Sequence, residues 1–400
     1  MSSVKYWLWL SMCQGIGYAK AKQLINFFGS AEDVYNADER DFLDIDGIRA
    51  EDIKSLSEKD LMKSDKIIKD CNDTGCRIVI FKDSEYPDRL KNIYDSPLVI
   101  YVKGRLPYID DEPVVGVVGT RLCTPYGITV AKNTGYKLSQ SGITVVTGLA
   151  KGIDTAATVG ALKGGTCVIG VVGTGLNIVY PSENKRIFDA VIKNGAIISE
   201  YPPGVRALQH HFPARNRLIS GLSLGIAVIE APKKSGALIT ATRALEQGRD
   251  VFALPGNVDA TTCEGSNALL REGAIPFMSA DDIIDEYIDH YPGKIHILNE
   301  RSNKPDLSDL SGDKTEGSKK SIDNNTKVDY IDLGNPVENL IGDEKLVVNA
   351  ISNKSTCSDE IIIETQLPAQ KVLAVLTVLE INGHIKRNTA GRWERTRPAV

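Results

Sequence analysis

The sequence predicts an α/β protein: a doubly wound parallel sheet with a helix-hairpin-helix (SAM-like) module before it and a winged helix after it. Three observations carry that expectation. Between residue 113 and about 290, apolar runs of strand length ("VVGVVG", "ITVVTG", "CVIGVVG", "AIISE", "GIAVIE", "DVFALPG") alternate with helical segments, the pattern of crossover-connected parallel strands. The first 65 residues show helical patterning alone. Residues 336–400 regain helical periodicity and end in a hairpin-like segment.

Each segment has its own reason. In 1–65, "QGIGYAKAKQLINFFGS" is echoed by "IDGIRAEDIKSLS", each a Gly-Ile hairpin followed by an amphipathic helix. Hairpin amides of this kind can hold a phosphate as a helix N-terminus does. The other reading is a packing module, because Asp44, Asp46, Glu51 and Asp52 crowd the second hairpin. The central domain is expected over 66–293, with "IVIFKDSEYPDRL" and "PLVIYVKG" as short strands leading into it. Residues 294–335 are polar and poor in apolar side chains, so they are expected to be a flexible linker. In 336–400, "EKLVVNAIS", "SDEIIIETQ" and "PAQKVLAVLTVLEINGHI" make three helices, and "IKRNTAGRWER" suits a wing.

Composition narrows the classes. At 400 residues the chain has room for two or three domains; 42% hydrophobic and 25% charged residues are ordinary globular usage. The net charge of -5 gives no global sign of nucleic acid. Seven cysteines, odd in number and without a C-x-x-C pair, indicate neither a disulfide framework nor a zinc ribbon. "YWLWLSMC" is too short and weakly charged in front for a signal peptide, and no run approaches the roughly 20 apolar residues of a membrane span. A cytoplasmic protein with reduced thiols, no metal and no cofactor is the expectation.

In an open parallel sheet, ligands gather beyond the carboxyl ends of the strands. Here those ends carry "GTR" (119–121), "GLAKGID" (148–154), "GTGLNIVYPSEN" (173–184), "EYPPG" (200–204), "APKKSG" (231–236) and "LPGN" (254–257). Glycine in all six leaves room for something extended to approach the backbone. After Gly119-Thr120-Arg121, Thr124 can cap a helix and Pro125 can fill its first position. The amides at that helix N-terminus suit an anion, and Arg121 adds a guanidinium able to grip phosphate; the alternative is that Arg121 pairs with a carboxylate. No G-x-x-x-x-G-K-[ST] and no proper G-x-G-x-x-G follow a strand, which speaks against ATP on a Walker loop and against a dinucleotide.

Local charge points to a longer polyanion. From Gly116 to Arg217 there are eleven Lys/Arg against four acids, and from Leu218 to His290 five against eleven. The basic half suits a nucleic acid. Within it, "HHFPARNRLISG" sets Phe212 and Pro213 beside Arg215, Asn216 and Arg217, equipment for stacking a base while gripping its backbone. The alternative puts Phe212 in the core and the arginines in solvent. His210 and His211 are adjacent, and adjacent histidines seldom share one metal.

The stretches "VVGTRLCTPYG", "SGITVVTGLAKGIDTAAT", "IGVVGTGLNIVYPSEN", "ISEYPPG", "HFPARNRLISGLS", "EAPKKSGALITATRALEQGRDVFALPGN" and "GSNALLREGA" together resemble the DprA/Smf family of DNA-processing proteins, almost unbroken from about 80 to 280. The resemblance implies a modified Rossmann domain that binds single-stranded DNA, forms a homodimer, and loads RecA onto incoming strands in natural transformation, with single-strand-binding protein as a further partner. Arg121 and Phe212 match family DNA-contacting positions, and Thr120 stands where the family often has Ser. The full expected set is Gly119, Thr120, Arg121, Gly148, Lys151, Gly152, Gly173, Gly175, Phe212, Pro213, Arg215, Asn216 and Arg217.

Two other readings compete. "SGALITATRALEQG" with "FALPG" also resembles nucleotide phosphoribohydrolases, but their P-G-G-x-G-T-x-x-E loop is here "APKKSGALITATRALE", leaving only Glu246 further down. Glu230 and Asp154 suit strand-end and helix-cap roles. No paired carboxylates, nucleophile–base set or metal cluster appears, so no catalytic residue is assigned. A transcription regulator would need base-reading side chains, and the expected recognition helix offers only Lys371. Lys386, Arg387, Arg392 and Arg395 in the wing suit backbone phosphate.

Overall fold

The computed structural model describes residues 3–296, 343–351, 356–381, 385–388 and 392–395. The chain divides into two compact units, Met1–Pro305 and Asp306–Val400. Of the expected linker, 297–335 lies outside the described residues. Residues 294–296 belong to the first unit: Ile295 is buried, and the His296 amide donates to the Ser141 carbonyl at 3.0 Å.

The front of the first unit is helical, with α1 (Val4–Met12), α2 (Tyr18–Phe28), α3 (Ala31–Asn36), α4 (Ala50–Ser57) and α5 (Met62–Thr74). The two expected hairpins precede α2 and α4, turning through Gly15 and Gly47 at φ of +79° and +78°. A single buried acid joins them. Asp52 accepts from the Arg49 amide (2.8 Å) and from Lys20 of α2 (2.5 Å), and it rests against Gly15 of the first hairpin. The packing reading of the acidic hairpin accounts for this arrangement. Helix α1 shows little amphipathic contrast because Tyr6 through Leu10 are all buried, between α3, α5 and the sheet.

That sheet has nine strands: β1 (Arg77–Ile80), β2 (Val99–Gly104), β3 (Val114–Val118), β4 (Thr144–Thr147), β5 (Val168–Val172), β6 (Gly195–Ser199), β7 (Gly225–Val228), β8 (Asp250–Ala253) and β9 (Ile275–Pro276). Their order is β1-β2-β6-β5-β4-β3-β7-β8-β9. The seven from β6 to β9 in that order run parallel, and β2 and β1 extend the β6 edge antiparallel. Side chains of each parallel strand alternate between two cores, so both faces are apolar. Val115 and Val117 enter the core shared with the front helices, and Val114 and Val118 enter the opposite one.

Helices cross between the strands: α7 (Pro125–Gln140), α8 (Ile153–Gly164), α9 (Lys185–Asn194), α10 (His211–Leu222), α11 (Gly236–Glu246), α12 (Glu264–Arg271) and α13 (Ala280–Tyr287), with the short α6 (Asp88–Lys91) ahead of them. Helices α7 and α8 touch backbone to backbone. A Cβ on Gly135 would collide with the Ala157 carbonyl, and one on Gly160 with that of Lys132.

The second unit is a winged helix. Helices α14 (Asp343–Ala350), α15 (Ser358–Thr365) and α16 (Ala369–Ile381) are followed by the antiparallel pair β10 (Ile385–Arg387) and β11 (Trp393–Arg395). Val347, Ile361, Val372, Leu376, Ile385 and Trp393 fill its core. Among the described residues no helix is long and apolar enough to cross a membrane, and all seven cysteines are free.

Candidate nucleic-acid interface

Strand β3 stands at the point where the winding reverses. The chain builds β4, β5 and β6 on one side of it, then crosses back to place β7, β8 and β9 on the other. A crevice therefore opens beyond the carboxyl ends of β3 and β7. It is an open cleft of about 790 Å³, with Gly119, Thr120, Arg121, Phe212, Asn216 and Lys234 in its wall.

The Gly119-Thr120-Arg121 turn is fixed by Thr120. Its amide donates to the Glu230 carbonyl at 2.7 Å, and its buried hydroxyl accepts from the Leu122 amide at 3.2 Å. Arg121 is thereby sent outward. It is exposed, no ion pair among the described residues engages it, and its guanidinium carbon lies 5.3 Å from the centre of the Phe212 ring.

Thr124 caps α7 as expected, accepting from the Gly127 amide at 3.0 Å with Pro125 in the first helical position. The expected open anion site at that N-terminus needs correction. The Thr124 amide and hydroxyl both donate to the Glu230 carboxylate (2.9 and 2.5 Å), a side chain only 1% exposed. The protein's own carboxylate already sits there.

Phe212, second residue of α10, is half-buried with its ring open to the cleft. Tyr180, from the loop after β5, lies 5.3 Å away with the ring planes at 34°, and it is 42% exposed. Arg121, Phe212 and Tyr180 thus form one cation-and-aromatic surface drawn from two loops and the start of α10. Lys151 is exposed beside it and paired with Glu183. Gly152 has φ +80°, and a Cβ there would come within 2.5 Å of the Thr120 carbonyl oxygen, so only glycine lets these two loops touch.

The other two arginines are placed differently from the sequence expectation. Arg215 is 4% exposed. One of its Nη atoms donates to the carbonyls of Gly148 (2.8 Å) and Val171, which ties the β4 and β5 strand ends together. Beside it lies buried Asp154, which accepts from the amides of Gly148 (3.0 Å) and Ala150 (3.4 Å). Burial raises the Asp154 carboxyl to about 6, against the pull of Arg215. Burial also lowers Arg215 to about 10, against the pull of Asp154. Arg217 is clamped by both Glu200 oxygens (2.8 Å each) and by Asp95 (3.2 Å). Neither guanidinium flanks Phe212 as a free charge. They hold the loops in place.

The remaining expected residues are mostly walls. Asn216 is buried and donates to the Gly236 carbonyl at 3.1 Å, and Pro213 is exposed at the rim. The Gly173 carbonyl accepts from Nδ1–H of the buried His211 ring at 3.0 Å. The Gly175 amide donates to the Val205 carbonyl at 2.9 Å. Tyr180 and Lys234 were missed by sequence reasoning. Their signal was present, an aromatic in "VYPSEN" and a lysine pair in "APKKSG", each on a strand-end loop. Among the described residues no three His, Cys, Asp or Glu side chains gather as a metal site requires.

Comparison with known proteins places this geometry in context. The family model described as DNA recombination-mediator protein A matches residues 77–288, and that of the DprA winged helix domain matches 334–391. The chain is 32% identical to Protein Smf of Synechocystis over 98% of its own length and 99% of the relative's. It is 44% identical to DNA processing protein DprA of Streptococcus pneumoniae over 51% of this chain and 72% of that one. The X-ray structure of the Streptococcus pneumoniae protein superimposes with a TM-score of 0.62 at 35% identity, covering 70% of this chain and 97% of that chain.

Proposed function

The chain belongs to the DprA family of DNA recombination mediators, and from that premise we propose that the cleft edge binds single-stranded DNA. The observation that carries this reading is the exposed Arg121 over the Phe212–Tyr180 ring pair, where the winding of the sheet reverses. Rings open to solvent can stack unpaired bases, and a duplex keeps its bases stacked inside. Arg121 supplies phosphate contact, with Lys234 further along the same cleft.

The finer reading is that the bound strand is protected and passed to RecA, by a homodimer working in the cytoplasm with strands first covered by single-strand-binding protein. The family resemblance supports this part. Fluorescence anisotropy with single-stranded and duplex oligonucleotides of equal length, across a salt series, tests the binding core. Single strands should bind far more tightly, with little sequence preference; equal affinity for the two forms ends the proposal. Acceleration of RecA assembly on covered strands tests the loading step.

The nucleotide phosphoribohydrolase reading is not favoured by family membership. Glu246, the one glutamate on α11, is exposed at the far end of that helix and pairs with Arg243 at 2.7 Å. Chromatography of nucleoside monophosphates incubated with the protein should show no released base. Release abolished by Glu246→Gln would restore the enzyme.

A further inference from the structure

The crevice of a doubly wound sheet offers an anion two kinds of backbone donor: helix N-termini and the turning amides of the strand-end loops. In this protein both kinds beside Arg121 are taken from inside. At α7 the Glu230 carboxylate, contributed by the strand end across the reversal, receives the Thr124 amide and hydroxyl. Gly127, in the first turn of α7, makes the space: a Cβ there would come within 2.5 Å of the Glu230 carboxyl carbon. At the next loop Asp154 receives the Gly148 and Ala150 amides. Glu230 also holds the Arg121 turn through its own carbonyl, which accepts from the Thr120 amide. A glutamate buried to 1% exposure has a large desolvation cost, yet no cationic side chain pairs with it among the described residues. Its partners are the donors that would otherwise receive a phosphate.

We propose that Glu230 is a resident anion that fills the phosphate position of the crevice, shuts out mononucleotides, and leaves Arg121 to hold a polymer from outside. Only the last clause rests on the single-strand reading. The fold uses the charge of Glu230 in place of a ligand's, and the selectivity for a strand over a free nucleotide follows from that occupancy.

Thermal melting of the full chain tests this without DNA, so failure here and failure of the single-strand reading are separate results. Wild type should melt at the same temperature in inorganic phosphate, adenosine 5′-monophosphate or chloride at matched ionic strength. Glu230→Ala should melt lower, and formate or phosphate, but not chloride, should restore a substantial part of the loss by entering the vacated position. Glu230→Gln keeps the shape and loses the charge. It should melt about 2–4 °C below wild type, with no recovery in either anion because the side chain still fills the space. The proposal is overturned if wild type gains as much from phosphate as Glu230→Ala, or if no small anion rescues Glu230→Ala. Should Glu230→Ala not fold in any of these buffers, Glu230→Gln decides: a melting temperature equal to wild type overturns the proposal, and a lower one sustains it.

Discussion

A guanidinium serves a polyanion only where water still reaches it. Arg121 meets that condition, so Arg121→Ala should weaken single-strand binding by about 1–3 kcal/mol whatever the sequence and flatten the salt slope by about 0.7. Phe212→Ala and Tyr180→Ala remove stacking instead. Each should cost about 1–3 kcal/mol with the slope unchanged, and anisotropy at several salt concentrations separates the two behaviours. Arg215 belongs to the fold. Removing it takes the nearest countercharge from buried Asp154, so Arg215→Met should cost about 3–5 kcal/mol of stability in denaturant melts. Asp154 adds a pH signature. Its carboxyl is raised to about 6 by burial, above the ordinary value near 3.9, so the folded state keeps a proton that the unfolded chain has lost between those values. Stability from this group is full below about pH 4 and is lost as pH rises through 6. The stability of wild type relative to Asp154→Asn should therefore improve as pH falls from 7 to 4; an opposite trend would contradict the burial argument. Sequence brought Arg121 forward through its glycine-bearing strand end and Phe212 through the arginines that flank it in the chain. It misplaced Arg215 and Arg217 because chain adjacency says nothing of burial, and a helix turns about 100° per residue. Tyr180 reaches Phe212 from a separate loop, a meeting that only the folded sheet arranges.

The parallel strands were legible because they are buried on both faces and read as unbroken apolar runs. Their edge was not. Periodicity marks β2 as a strand but carries no label for its partners, and besides neighbouring β1 it pairs with β6, most of a domain later in the chain. The hairpins of the front helices were legible from Gly-Ile spacing, whereas the reach of Asp52 from α4 to Lys20 of α2 depends on how the two hairpins pack. The α7–α8 contact was likewise invisible, since glycine in a helix looks like a weakness until a second backbone is found against it. Gly160→Ala should push these helices apart at a cost of about 1–3 kcal/mol in chemical denaturation. Because Gly152, the cap residue just before α8, lies beside the Arg121 turn, the same change should also lower affinity for single strands.

Across the whole molecule, the charge division read from the sequence follows the architecture. The basic span from Gly116 to Arg217 builds β3 to β6, and the acidic span from Leu218 to His290 builds β7 to β9. Long-range attraction should therefore bring a strand to one side of the reversal and leave the other for protein contacts. The division at Pro305 leads to a further expectation: a chain ending there should melt cooperatively and keep its single-strand affinity in anisotropy, and loss of either would tie the winged helix to the site. The acidic side also ends in a particular way. Strand β9 is two residues long, and the second is Pro276, which has no N–H to offer. The sheet is sealed at that margin against templated growth. Any second molecule arriving there has no ladder to join and must fasten to side chains. Such an assembly can be dismantled by a point substitution, and it gives no seed for a fibre.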